Sequence, residues 1–332
     1  MTTYQLKTRP MGRKWFTAAV RCTLPLLMAW VALPAFANNN NAYVANQVDN
    51  TVSVINTATN AVTATVAVGT NPAGIAVSPD GNSVYVANFS SNTVSVIKAA
   101  TNAVTATVPV GSSPVAAVVT PNGSDVYVAD ANANTVSVIA TASDTVIATV
   151  SVGNSPNSVA ISPDGAHVYV ANTNDNTVSV IATATNTVTA TVPVGSSPFT
   201  VAADPFGARV YVANFGDNDV SVIDASTNTV TATLPAGNGA YAVATSPVGA
   251  PVYAANFTDN TVSVIDPFNK TVFATVPVGN SPQAIAVNHC GRVYVANANS
   301  NSISVINPFT NKVIATVSVG NVPVAVATQP EW

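Results

Sequence analysis

Few side chains in this chain could do chemistry, and their spacing is unhelpful. In 332 residues there are two histidines, His167 and His289, two cysteines and a single glutamate, Glu331. His289 adjoins Cys290. A Cys-His pair can supply a thiolate nucleophile with its base, or two ligands of a metal. Neighbours in sequence rarely converge on one substrate, however, and no third partner is apparent. The pair stands where other parts of the chain carry Pro-Asp in a turn, so it reads as a decayed turn. His167 occupies a position where Ser83, Asp125, Arg209 and Pro251 also occur, and it is expected to be exposed. Asp175, Asp217 and Asp259 recur in corresponding loops and could offer oxygen to calcium. One carboxylate per loop is thin, and solvated loops are the better reading. There is no Gly-rich phosphate loop, nucleophile elbow or zinc spacing. The expectation is therefore no catalytic residue, no metal, no cofactor and no enzymatic activity.

A sharper signal comes from aromatic and amide residues placed where the chain otherwise repeats itself. Phe199, Phe215, Tyr241 and Phe257 fall at loop positions held in the other copies by Ala, Val, Thr, Gln, Asn or, once, Phe89, and Asn157 and Gln283 come from the adjacent units. Rings grouped at loop tips with amides alongside suit a ligand or partner site, and a sugar or short peptide fits that chemistry. These six residues are the candidate ligand-binding set. The alternative is that the rings plug a channel or cover sheet edges.

What must position them is a repeat. The stretch VYVANFSSNTVSVI at 84–97 has near-copies starting at Val126, Val168 and Val210. The motif tyrosines are Tyr43, Tyr85, Tyr127, Tyr169, Tyr211, Tyr253 and Tyr294, spaced by 42 residues and, in the last step, by 41. Each unit holds four runs rich in Val, Ile, Thr and Tyr, bounded by Gly, Pro, Asn or Asp, and such runs read as strands. VYVA and VSVI scarcely alternate, as expected of strands buried on both faces. The motif tyrosine, once buried, should send its hydroxyl to a backbone group or a loop Asn. SPDG-type segments ending at Gly81, Gly123 and Gly165 fit tight turns between the first two strands. The Asn before TVSVI, at 50, 92, 134, 176, 218, 260 and 301, reads as a turn cap.

Four strands in each of seven units predict an all-β fold, a seven-bladed β-propeller of four-stranded antiparallel blades. The chain ends argue against an open solenoid. The repeats begin at Ala42 with a second strand and finish in PVAVATQP, a first strand, so Val324–Thr328 should complete a blade with Ala42–Gly69. The ring closes through a blade shared between the termini.

Residues 1–37 differ from the rest. Lys7, Arg9, Arg13, Lys14 and Arg21 precede the apolar run LPLLMAWVAL and then AFA, the plan of a secretory signal peptide cleaved after Ala37. Residues 38–41 form a short Asn-rich linker, and 42–330 form a single propeller domain. Five of the ten Lys and Arg residues lie in 1–37 and none of the 14 acidic residues does. Five scattered cations build no basic patch, so double-stranded nucleic acid is excluded as a partner. Single-stranded nucleic acid has stacking aromatics in its favour and the charge against it. Without residues 1–37 the chain has no transmembrane span, and a monomer is expected. Cys290 is then the one remaining cysteine, and a single cysteine makes no internal disulfide.

The copies VYVAN, VYVAD and VYAAN, followed by NTVSVI or a close variant and then VTATVPVG, resemble the YVTN-type β-propeller repeat over residues 42–330. The departure is Ala for Thr at the third motif position in every copy, a small residue for a small residue. The resemblance implies a surface-layer or periplasmic propeller of a prokaryote, and it carries no shared catalytic motif. The expected function is an exported binding or scaffold propeller of the cell envelope, recognising a protein, peptide or glycan on the loop face. A structural surface-layer-like or adhesive protein is the alternative. A lactonase- or lyase-like propeller enzyme is third, disfavoured by the shortage of His, Glu and Lys.

Overall fold

Short β-branched runs between turn residues fold here as seven separate four-stranded antiparallel sheets. The structure is a computed structural model and describes residues 40–330. The secretory-leader reading of residues 1–37 and the first half of the proposed linker, 38–39, lie outside the described residues. Blade one, taken as the unit, runs Pro72–Val77, Ser83–Asn88, Thr93–Lys98 and Ala103–Pro109. Its burial follows position. The second and third strands are almost wholly buried, the inner strand alternates, and the outer strand is largely exposed. Val, Ile and Ala dominate where both sheet faces are covered by the neighbouring blades, and Thr marks the outer strand.

Pro begins the inner strand in six of the seven blades, at 72, 114, 156, 198, 282 and 323. Pro has no N–H to donate, and the first residue of an edge strand tolerates that loss. The turn after the inner strand closes as the sequence predicts. Gly81 N–H donates to the Ser78 carbonyl at 2.8 Å, and Gly81 has φ of 69°, a left-handed conformation that favours glycine.

Closure is by the shared blade. Pro323–Thr328 pairs antiparallel with Asn41–Asn46, and that strand pairs in turn with Thr51–Asn56. The strand starts at Asn41, one residue before the expected boundary. Gln329 ties the closing strand down, with its backbone N–H on the Asn41 carbonyl at 2.8 Å and its Nε2 on the Gly81 carbonyl at 2.6 Å.

Two expectations are refined. The motif tyrosines are buried, and Tyr127 donates to the Asn186 amide oxygen of the next blade at 2.7 Å. The Tyr43 and Tyr211 hydroxyls make no such bond, so a loop Asn does not serve every copy. The Asn before TVSVI is left-handed, with φ of 49–60° in all seven copies, but its side chain does more than cap its own turn. Asn50 Oδ1 accepts the N–H of Asn71, 21 residues on, at 2.8 Å. Asn134 and Asn176 likewise accept from Ser155 and Ser197. Each such Asn thus clamps the loop that enters the following blade.

Candidate functional site

The loops entering the blades share one end of the ring with the loops joining second to third strands. The site is built at that end, by a backbone irregularity repeated seven times. In each blade the inner strand carries a β-bulge at its second residue. Pro156 pairs with Asn172 and Ser158 with Ala171, leaving Asn157 without a partner in the ladder. The same shift skips Ala73, Val115, Phe199, Tyr241, Gln283 and Val324. A bulged residue is freed from the pleat and re-aimed. All seven line the mouth of the central channel, a cavity of about 460 Å³. This position is among the most variable in the repeat and is the one released from the ladder.

The predicted aromatic residues come together. Phe199 and Tyr241 have ring centroids 4.5 Å apart, and Phe215 lies 5.5 Å from Phe199 and 6.1 Å from Tyr241. Phe257 stacks on Tyr241 at 5.7 Å and meets Phe215 edge-on at 6.2 Å. All four rings are half-buried. Phe199 and Tyr241 face the cavity with Asn157 and Gln283, whereas Phe215 and Phe257 do not line it and support the two facing rings from behind. Burial raises the Tyr241 phenol to about 12, so it remains a protonated donor at neutral pH.

The scaffold is reinforced beneath the rings. Thr200 Oγ1 of blade four accepts the Val243 N–H of blade five at 2.9 Å, and Ser158 Oγ of blade three accepts the Val201 N–H of blade four at 3.2 Å. Thr173 Oγ1 donates to the Pro198 carbonyl at 2.7 Å. Each such bond contributes about 1 kcal/mol and fixes the inner strands that carry Phe199 and Tyr241.

The lining also holds the polar and aromatic residues Gln47, Asn71 and Phe89, which were not in the candidate set. Gln47 and Phe89 directly follow their YVAN motifs, as Phe215 and Phe257 do, and membership of that series was the available signal. A second signal is the change of SSP to NGA at 238–240. Gly239 has φ of 71°, and a Cβ there would sit 2.6 Å from Thr258 Oγ1 and 3.2 Å from Phe215 Cε2. Glycine leaves the space that the Phe215 ring fills.

The other candidates are placed elsewhere. The aspartates considered for calcium hold backbone instead. Asp175 Oδ2 accepts the Asn154 N–H at 2.7 Å, Asp217 that of Ser196 at 2.7 Å, and Asp259 that of Asn238 at 2.8 Å. Asp49 does the same for Asn321. His289 is exposed in the turn before the second strand of blade six, and His167 is partly exposed at the start of a strand. Cys290 is disulfide-bonded in this structure; the expectation of a lone cysteine applies to the chain without residues 1–37. Among the described residues no group of three or more His, Cys, Asp or Glu could hold a metal ion, and no helix is long and apolar enough to cross a membrane.

Comparison with known proteins widens the functional question. The YNCE-like beta-propeller family model matches residues 14–116, and the lactonase, 7-bladed beta-propeller model matches residues 141–232. Neither is the YVTN-type family that the repeat resembles, and each spans under a third of the chain. No curated protein matches. Among solved structures, Kuenenia stuttgartiensis hydrazine synthase is similar at 23% identity and a TM-score of 0.75, over 86% of this chain and 98% of that one. A functionally unknown protein from Desulfotomaculum acetoxidans is similar at 18% identity and a TM-score of 0.79, over 88% and 100%. A Bacteroides uniformis protein bearing the provisional name 6-phosphogluconolactonase is similar at 19% identity and a TM-score of 0.74, over 87% and 99%. At such identities the structural likeness extends to the fold, and function is not fixed by a fold. The lactonase match nevertheless overturns the expectation of no enzymatic activity. That expectation rested on the absence of a local catalytic motif, whereas the match spreads over blade framework and loops from 141 to 232. The chain is a seven-bladed β-propeller with partial matches to two propeller families, one of them enzymatic.

Proposed function

We propose that this chain is an exported binding propeller of the cell envelope that holds a glycan at the aromatic side of the channel mouth. The observation that carries the reading is the Phe199–Tyr241 platform, 4.5 Å between centroids, in one cavity of about 460 Å³ with the Asn157 and Gln283 amides. A sugar ring has apolar C–H faces that stack on aromatic rings and equatorial hydroxyls that need amide partners. Placed polar groups beside aromatic and aliphatic side chains in a concave site are a usual form of a small-molecule site.

A second reading, ring-opening of a sugar lactone, is favoured by the family match over 141–232, which contains Asn157, Phe199 and Phe215. In that reading water adds to the ester carbonyl, the ring C–O bond breaks, and a hydroxy acid leaves. The neutral Tyr241 hydroxyl and the Asn157 and Gln283 amides are among the side-chain donors of the lining that can meet the carbonyl oxygen as its charge develops.

The test is capture on a glycan array by the purified chain beside Phe199→Ala/Tyr241→Ala, with acid release from sugar lactones measured on the same samples. Capture lost in a folded double variant supports the site, and equal capture by both proteins sinks it. Lactone opening that requires the same two residues would place the second reading first.

A further inference from the structure

The two ends of the ring differ in charge, and the difference constrains what the mouth can hold. All five cations of residues 40–330 lie at the end away from the mouth. Lys98 ends a third strand, Arg209 begins a second strand, Lys270 lies in a turn between third and fourth strands, Arg292 immediately precedes a second strand, and Lys312 begins a fourth strand. Two of them are engaged there: Arg292 Nη1 donates to the Thr57 carbonyl at 2.9 Å, and the Arg209 guanidinium lies 4.9 Å from the centre of the Phe268 ring. The mouth end carries Asp49, Asp130, Asp175, Asp217, Asp219 and Asp259, with no Lys or Arg among the described residues.

In several of the entering loops the backbone offers an anion little foothold either. Loop N–H groups can form anion nests, and in the loops entering blades three, four, five and seven two of them in each are already occupied. In the loop entering blade four, Ser196 N–H is held by Asp217 of the same blade and Ser197 N–H by Asn176 of the preceding blade. Blade three repeats this with Asp175 and Asn134, blade five with Asp259 and Asn218, and blade seven with Asp49 and Asn301. The bonds from Asn321 and Asn154 also hold the Asp49 and Asp175 carboxyls below the usual range, so both stay charged at neutral pH.

We infer that the mouth selects uncharged or amine-bearing saccharides and rejects phosphorylated and carboxylated ones. This rests on the glycan reading above and narrows it. It also excludes a phosphosugar lactone from the second reading, leaving only unphosphorylated lactones. An anionic sugar would meet a face of carboxylates, four of which already hold loop amides of the entering loops. A protonated amine would gain from that same field and from the π faces of Phe199 and Tyr241.

The experiment uses the purified full chain on an array holding neutral, amino, uronic and phosphorylated versions of the same glycans, at about 10 mM and about 150 mM salt. Captured glycans should be neutral or amine-bearing. Their phosphorylated versions should bind at least about tenfold more weakly at low salt, with the gap narrowing as the screening length falls from ~30 Å to ~8 Å. Asp217→Asn/Asp259→Asn keeps an acceptor for each loop N–H while removing two charges. It should narrow the gap without changing capture of the neutral glycan. Anionic glycans bound as tightly as neutral ones, and released by Phe199→Ala/Tyr241→Ala, would overturn the charge selection alone. No capture, or capture indifferent to those two rings, would overturn the site itself.

Discussion

Replacing Asp130 by Asn should stabilise this protein, and only above a defined pH. Six of the seven YVAN-type motifs end in Asn, and blade two ends in Asp130. The site is fully buried in every blade. In blade one, Asn88 Nδ2 donates to Thr93 Oγ1 at 3.1 Å and to Ser95 Oγ at 3.0 Å. In blade two, the roles reverse, and Ser137 Oγ and Thr135 Oγ1 donate to Asp130 Oδ2 at 2.7 and 3.2 Å. Burial raises the Asp130 carboxyl from 3.8 to about 6, against the opposing pull of those bonds. A carboxyl whose pKa is raised by folding binds protons more tightly in the folded state. The charged form therefore carries a penalty that is absent below pH 4, grows between pH 4 and 6, and is complete above 6. About two pH units correspond to ~3 kcal/mol, an upper figure for what the neutral amide can recover. At roughly 2–4 °C per kcal/mol for a chain of this size, Asp130→Asn should melt several degrees higher at pH 8 and level with the parent at pH 4. Urea denaturation of both proteins at pH 4, 5, 6, 7 and 8 would measure it. A gain of the same size at every pH would refute the desolvation argument, because Asn would then be favoured by packing. No gain at pH 8 would mean that the hydroxyl donors already compensate the buried charge.

Two further predictions concern the ring. Asn176→Gly retains a residue able to hold the left-handed backbone, φ 56°, but removes the acceptor for Ser197 N–H at 2.9 Å, and should cost about 1 kcal/mol. Asn176→Asp, which keeps the acceptor, should recover most of it, and equal losses in both variants would discount the inter-blade clamp. Removing residues 323–332 deletes the inner strand of blade seven and leaves Asn41–Asn46 unpaired on one side. Thermal unfolding of the truncated chain should lose its single cooperative transition, and a parent-like melt would show that the ring closes without its shared blade.

The repeat made most of the architecture legible. Seven evenly spaced tyrosines set the number of blades, and four β-branched runs per unit set the strands. A second strand at the start with a first strand at the end fixed how the ring closes. These are local or periodic features, and each copy confirms the next. Loop position alone also drew Phe199, Phe215, Tyr241 and Phe257 into one candidate group, since equivalent positions in neighbouring blades are neighbours in space.

Other features arose only in the assembled ring. The bulge that turns residues 73, 115, 157, 199, 241, 283 and 324 into the mouth depends on strand register, which a hydrophobic pattern with residues buried on both faces does not specify. It divided the four aromatics into two that face the cavity and two that brace them. The loop aspartates looked like free carboxylates in sequence because their partners lie about 21 residues away, or 272 in the case of Asp49. Sequence determined the blades, their number and the residues that break the repeat, because those follow from local pattern and period. Tertiary structure alone decided which of those residues meet, which amides remain open and where the charge lies, because each depends on one blade packed against the next.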